Sequence, residues 1–277
     1  MRLFVARILS RLGIPHLSRA LLAKQAGFAL VFHDIIRERR TDLAPESQYG
    51  LTVSELDRML NWLSKRFAFI TPQQFLTASK PGILLTIDDG KANNYTNALP
   101  VLERHQAPAI LFVTTQHVVN PRDWLPHTRK CARSQWSDVR DIPDDIAWEY
   151  FNGMTPEQVA ICGQHPLITI GAHTVSHPFL TECDQPTLER ELTASKKLLE
   201  GIINQPVSLF AYPTGVYDHR VAEAVRDAGY RYAFALKPKG VTMRAYEVPR
   251  VYIRETASYY LDVKLSGIYA RPVKSPI

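Results

Sequence analysis

Two stretches of the chain place titratable side chains where an apolar run stops. In Leu84-Leu85-Thr86-Ile87-Asp88-Asp89-Gly90, a strand-like string ends in two adjacent carboxylates and a glycine. Two like charges buried side by side are costly unless a cation or hydrogen-bond donors compensate, so the pair implies a cation. Alone, Asp-Asp-Gly also fits an ordinary turn. In Ile168-Thr169-Ile170-Gly171-Ala172-His173-Thr174-Val175-Ser176-His177-Pro178, a second apolar run delivers two imidazoles four residues apart. Positions i and i+4 share one face of a helical turn, so both rings can reach one ion. With a strand-end carboxylate they make a His, His, Asp set. Three protein ligands leave a coordination position open for water and substrate, the mark of a catalytic metal site.

A third string, Leu209-Phe210-Ala211-Tyr212-Pro213-Thr214-Gly215, again runs off a strand, into a proline turn. Its backbone amides can stabilise an oxyanion, or the segment is a plain β-turn.

Positioning these groups requires elements that end at one rim. Strands are expected at Ala26–Phe32, Phe67–Ile70, Ile83–Ile87, Ala109–Thr114, Leu167–Gly171, Val207–Tyr212, Tyr232–Leu236 and Val251–Ile253. Most are apolar throughout, as in strands buried on both faces. Between them, Thr52 and Glu55 form a capping box ahead of Leu56, Met59, Leu60 and Leu63. Thr71-Pro72 with Gln74 and Thr155-Pro156 with Gln158 repeat the cap and open short helices. Leu188, Leu192, Leu199 and Ile202 stripe a helix over about Pro186–Ile203, and Asp218 caps one ending at Gly229. The alternation predicts an α/β fold, a parallel sheet or barrel with helices outside. Residues 116–165, polar and holding Trp124, Trp136 and Trp148, interrupt it as an insertion, either a functional lid or a structural elaboration. Aromatic faces at Tyr212, Tyr217 and these tryptophans could stack on sugar rings, or simply fill core and surface.

The 277 residues, 45% apolar and 22% charged, fit one globular α/β domain and exclude collagen-like or wholly disordered classes. The net charge of +6 favours anionic surfaces without naming a partner. Basic residues are dispersed among 27 acidic ones, so no nucleic-acid role is expected. Residues 1–25 are basic and amphipathic: either a solvated helix packed on the domain or a peripheral contact with the inner membrane face. Arg7 and Arg11 break the apolar run a secretory signal needs, and no stretch is long enough to span a bilayer. Three cysteines without metal-site spacing suggest neither a disulfide framework nor a thiolate site. A cytoplasmic location follows as the expectation.

The three strings, in this order, resemble the polysaccharide deacetylases of the NodB homology domain, carbohydrate esterase family 4. Thr86-Ile87-Asp88-Asp89-Gly90 is similar to the family's Thr-Phe-Asp-Asp-Gly. His173-Thr174-Val175-Ser176-His177 is similar to its His-Ser/Thr-x-x-His, and Ala211-Tyr212-Pro213-Thr214 to its Arg-x-Pro-Tyr motif. The resemblance spans about Gly82–Leu236. It implies a single-domain, distorted (β/α)7 barrel over about 26–265, followed by a tail at 266–277. It implies a divalent ion, zinc before cobalt, nickel or manganese, on Asp89, His173 and His177, with Asp88 as general base. It also implies Tyr212, Pro213 and Thr214 at the oxyanion and substrate, and removal of N-acetyl or O-acetyl groups from a cell-surface glycan or its precursor. A deacetylase or deformylase of a lipid-linked or nucleotide-linked sugar is the near alternative, and an inactive carbohydrate-binding member the alternative class.

Two departures stand out. Ala211 replaces the arginine that orients the base, and no histidine follows His219 to serve as the family's Leu-x-His acid. Leu30-Val31-Phe32-His33-Asp34 resembles the acid-bearing N-terminal strand of circularly permuted exopolysaccharide-type members, which makes His33 the candidate acid.

Overall fold

The computed structural model describes residues 27–48, 50–236, 244–253 and 256–266. The basic segment 1–25 and, except for Ser266, the tail 266–277 lie outside the described residues.

Seven parallel strands close into a barrel: β1 (Phe28–Phe32), β2 (Ile83–Ile87), β3 (Ala109–Val113), β4 (Ile168–Ala172), β5 (Leu209–Ala211), β6 (Tyr232–Ala235) and β7 (Val248–Tyr252). They neighbour one another in chain order, and β1 pairs with both β2 and β7 to complete the ring. Around it lie α1 (Val53–Ser64), α2 (Pro72–Leu76), α3 (Leu99–His105), α4 (Thr115–Val119), α5 (Pro126–Arg133), α6 (Pro156–Gln164), α7 (Gln185–Ile203), α8 (His219–Asp227) and α9 (Ser258–Lys264). Among the described residues no helix is long and apolar enough to cross a membrane.

Alternation along the strands sorts side chains between two layers. Ala29, Leu84, Ile110, Phe112, Leu209, Ala211, Phe234 and Val248 fill the barrel interior, and Phe75 and Leu76 of α2 join that cluster. The opposite faces pack beneath the outer helices through residues such as Leu30, Leu85, Leu111 and Phe210. Gly171 makes this packing possible, because a Cβ there would lie 2.5 Å from the Phe112 ring. All three capping boxes form, at Thr52, Thr71 and Thr155, and Asp184 and Asp218 cap α7 and α8.

Three local expectations need correction. Phe67–Ile70 is no barrel strand: only Phe69 bridges Ile83, and the capping box at Thr71 turns the chain into α2 at once. The last strand begins at Val248, three residues ahead of the expected start, because a proline and an arginine inside it hide the apolar pattern. His173–His177 is a loop with Thr174 and His177 at φ of 69° and 60°, so the two rings are not brought together by a helical turn.

Between β3 and α6 the chain makes α4, α5 and a helical stretch over 144–151. Trp124, Ala132, Ile142, Ile146, Tyr150 and Phe151 build a small core of their own with Ile36 and Leu43. Trp124 packs on Phe151 at 5.1 Å between ring centroids and donates its indole N–H to Asn152, while Trp136 meets the same phenyl ring edge-on. These two tryptophans are packing groups. Trp148 is partly exposed.

Candidate active site

The inward-facing positions of β2 run Leu84, Thr86, Asp88, and those of β7 run Val248, Arg250. At the carboxyl end of the barrel, where α/β barrels carry their chemistry, Asp88 and Arg250 meet. Arg250 donates through Nη1 to Asp88 Oδ1 at 2.6 Å and through Nη2 to Oδ2 at 2.8 Å, with a further bond to Thr86 Oγ1 at 3.2 Å. Both partners are almost wholly buried. Burial alone would raise the Asp88 pKa, but the charges of Arg250, His173 and His33 outweigh it and hold the carboxyl below its usual range. Arg250 therefore clamps the carboxylate despite Ala211. The sequence concealed it because a charged residue in a fully enclosed strand is intelligible only once its partner is known.

Asp89 follows at φ 78°, which turns its carboxylate away from Arg250 toward the two histidines. Its Oδ1 lies 3.7 Å from His173 Nε2 and 3.8 Å from His177 Nε2. One donor atom from each of the three residues falls within 4.8 Å of the others. His173 donates its Nδ1 proton to the Ala211 carbonyl at 2.7 Å, which leaves Nε2 as the acceptor facing Asp89. Burial lowers both imidazole pKa values, that of His177 to about 4, so both rings are neutral and able to ligate at pH 7. Burial opposes ionisation of Asp89, yet His127, His33 and His177 hold its carboxyl well below the usual range. Both Asp89 oxygens are buried with no hydrogen-bond partner among the described residues. An ionised carboxylate left so, facing two neutral imidazole nitrogens, fits a divalent cation and little else.

The histidine loop is held from outside the barrel. Glu191 of α7 accepts the backbone N–H groups of Val175 and Ser176 through Oε2, both at 2.9 Å, and the Ser176 hydroxyl through Oε1 at 2.8 Å. The amide of His177 donates to Thr174 Oγ1 at 3.0 Å. Positive φ at Asp89, Thr174, His177 and Thr214 gathers backbone strain around one point, as functional sites do.

A cavity of about 480 Å³ opens on this cluster, lined among others by His33, Asp89, Lys91, His127, His177 and Thr214. His33 sits edge-on to Tyr252 at 5.5 Å, and its Nδ1 is buried without a hydrogen-bond partner among the described residues. Its neighbour Asp34 pairs with Lys91 Nζ at 3.2 Å and accepts from Asn93. Asn94 donates to the His33 carbonyl at 2.8 Å and Asn97 to that of Ile35, so the polar run after Asp-Asp-Gly ties the exit of β1 to the site. Thr214 lines the cavity from a left-handed turn. Tyr212 and Pro213 do not line it: Tyr212 is buried, stacked on Tyr217 at 4.4 Å and donating to the Tyr246 carbonyl. Those two tyrosines are therefore packing groups, and Tyr212 and Pro213 serve by shaping the turn beneath Thr214.

One further histidine was not singled out by the sequence. His127, in the first turn of α5, places Nε2 3.4 Å from Asp89 Oδ2. No apolar strand leads into it, so nothing in its local sequence marks it.

A family model described as polysaccharide deacetylase matches residues 76–233. The chain belongs to the polysaccharide deacetylase family. The deacetylase is 23% identical over 232 residues to the poly-beta-1,6-N-acetyl-D-glucosamine N-deacetylase of Staphylococcus aureus, covering 80% of this chain and 74% of that one. Its fold matches the structure of IcaB from Ammonifex degensii with a TM-score of 0.66 at 22% identity, over 88% of this chain and 99% of the other. It matches Streptococcus pyogenes deacetylase PplD, solved in complex with acetate, with a TM-score of 0.67 at 18% identity, over 87% and 98% of the two chains. The barrel is the NodB-like (β/α)7 fold of carbohydrate esterase family 4, as the resemblance implied. The deacetylase is a hydrolase of that family.

Proposed function

We propose that the deacetylase removes N-acetyl groups from amino-sugar units of a polysaccharide, a poly-β-1,6-N-acetylglucosamine type chain being the first substrate to test, given the Staphylococcus aureus relative. The observation that carries this reading is the Asp89, His173, His177 cluster, with the Arg250-clamped Asp88 next to Asp89 in the chain and with Asp89 and His177 on the cavity wall. Asp89, His173 and His177 would hold a divalent ion, zinc first and cobalt, nickel or manganese after it. When bound, it supplies Lewis-acid polarisation of the acetyl carbonyl and a more acidic water.

Asp88 accepts the proton of the attacking water as its oxygen bonds to the acetyl carbon, and the Arg250 fork keeps the carboxylate aimed throughout. The backbone at Thr214 faces the oxygen that gains charge. His33 gives a proton to the sugar nitrogen as the carbon–nitrogen bond breaks, which leaves acetate and a free amine. A departing amine is a poor leaving group unless protonated, and a histidine is suited to that at neutral pH. Lys91 and Asp34 neutralise each other on the cavity wall.

The test is acetate release from N-acetylated β-1,6-glucosamine oligomers by purified protein of known metal content, with and without chelator. Asp88→Asn is expected to lower kcat by at least about 100-fold, since general base catalysis contributes about 10²–10⁴. Undiminished release by that variant would sink the mechanism. His33→Gln is expected to lower kcat with little change in KM.

A further inference from the structure

Three features stand apart from the mechanism above. The exposed Phe179 lines a second cavity, the Lys91–Asp34 pair is already satisfied, and His127 reaches Asp89 from a segment outside the barrel. The last carries an inference.

Asp89 has two carboxylate oxygens with different surroundings. Oδ1 faces His173 and His177, whereas Oδ2 lies nearest His127 Nε2, at 3.4 Å. If Oδ1 serves a cation, Oδ2 remains a buried, negatively charged acceptor with no hydrogen bond among the described residues. Such an oxygen is costly to leave unpaired. Among the described residues, the imidazole that pairs with that oxygen is His127, the other two being paired with Oδ1. It falls outside the three-residue set whose donor atoms lie within 4.8 Å of one another, which separates it from the ligands themselves. Its ring is tilted at 5.7 Å from that of His177, whereas His173 and His177 are 5.0 Å apart.

His127 also stands where two cavities meet. The cavity of about 480 Å³ and a neighbour of about 490 Å³ share His127, His177 and Thr214 as walls. The side chain is 51% exposed, so it contributes little to packing and its replacement leaves the core intact. Its backbone is fixed by the insertion: it follows Pro126 at the start of α5, which packs through Thr128 and Ala132.

We propose that His127 is a positioning residue that donates from Nε2 to Asp89 Oδ2, and so makes the cation affinity of the barrel site depend on the insertion between β3 and α6. The proposal rests on Asp89, His173 and His177 holding a cation. Partners of ligating groups typically account for about 10–100-fold in metal affinity.

The experiment is a competitive chelator titration of zinc into metal-free full-length protein, followed by cobalt substitution and visible absorption. His127→Ala is expected to bind zinc about 10–100-fold more weakly than the parent with the same melting temperature in the metal-free form. His127→Gln, whose amide N–H can reach the same oxygen, is expected to recover most of that loss, with a cobalt spectrum like the parent's. Equal zinc affinity for His127→Ala and the parent would overturn the proposal alone. So would a changed cobalt spectrum with no recovery in His127→Gln, since His127 would then be a ligand. Parent protein that binds no zinc would overturn the underlying metal reading as well, which distinguishes the two failures.

Discussion

Replacing Arg250 with methionine would leave both Asp88 oxygens buried and unpaired. Breaking a buried ion pair from one side costs about 3–5 kcal/mol, so urea unfolding of Arg250→Met is expected to show a loss of that order. Adding Asp88→Asn to it should recover part of the loss, because the uncompensated charge is gone; strictly additive effects in the double-mutant cycle would show that the pair is not coupled. A second titratable group sits away from the chemistry. His117 is buried, donates from Nε2 to the Phe151 carbonyl at 3.1 Å, and has its pKa lowered to about 3, mainly by burial. The unfolded imidazole takes up a proton below about pH 6.5 and the folded one only below about pH 3. This group therefore draws stability down as pH falls through that window, by up to about 1.4 kcal/mol per unit. His117→Gln should flatten the acid limb of stability against pH over the same range. At this scale the sequence disclosed Asp88, Asp89, His173 and His177 because each ends or follows an apolar strand. Arg250 and His127 carried no such mark, since their meaning lies in partners 162 and 38 residues away.

Among the elements, helix starts were the most legible, because a capping box is a contract between residues three apart and needs no tertiary information. Thr52→Ala is expected to cost about 0.5–2 kcal/mol, read as a shift of the urea midpoint. What could not be read was how a loop is propped. The spacing of His173 and His177 suggests a helix, yet Glu191, fourteen residues past His177 in the chain, captures two backbone amides and holds the turn in its left-handed shape. Glu191→Ala should lower zinc affinity while α7 remains folded, as circular dichroism would show; unchanged affinity would mean that the loop holds its shape unaided. The failed strand at Phe67–Ile70 has a similar origin. Four apolar residues look like a strand, but Ile70 is spent on the cluster inside the barrel and the chain then turns directly into α2.

For the whole molecule, ligand linkage offers the broadest check. A cation that binds only the folded barrel, at 100 times its dissociation constant, adds about 2.7 kcal/mol to stability. Chelation should therefore lower the melting temperature of the parent but leave Asp89→Asn unmoved; equal responses would place the bound ion elsewhere. The parallel barrel was legible as a class from the alternation of apolar runs and capped helices, while its seven strands were legible only through the family resemblance, because closure is a long-range property. That closure joins β1 to β7, so the strand bearing His33 and the strand bearing Arg250 both flank the ring's seam. During synthesis on a ribosome, Asp88 emerges long before residue 250 exists and has no counter-charge to bury against. The nascent chain must wait, with β1 lacking its second neighbour, until nearly all of the barrel has been made. The last strand thus acts as a licence for the active site, and an interrupted translation product should be inert and prone to degradation rather than partly functional.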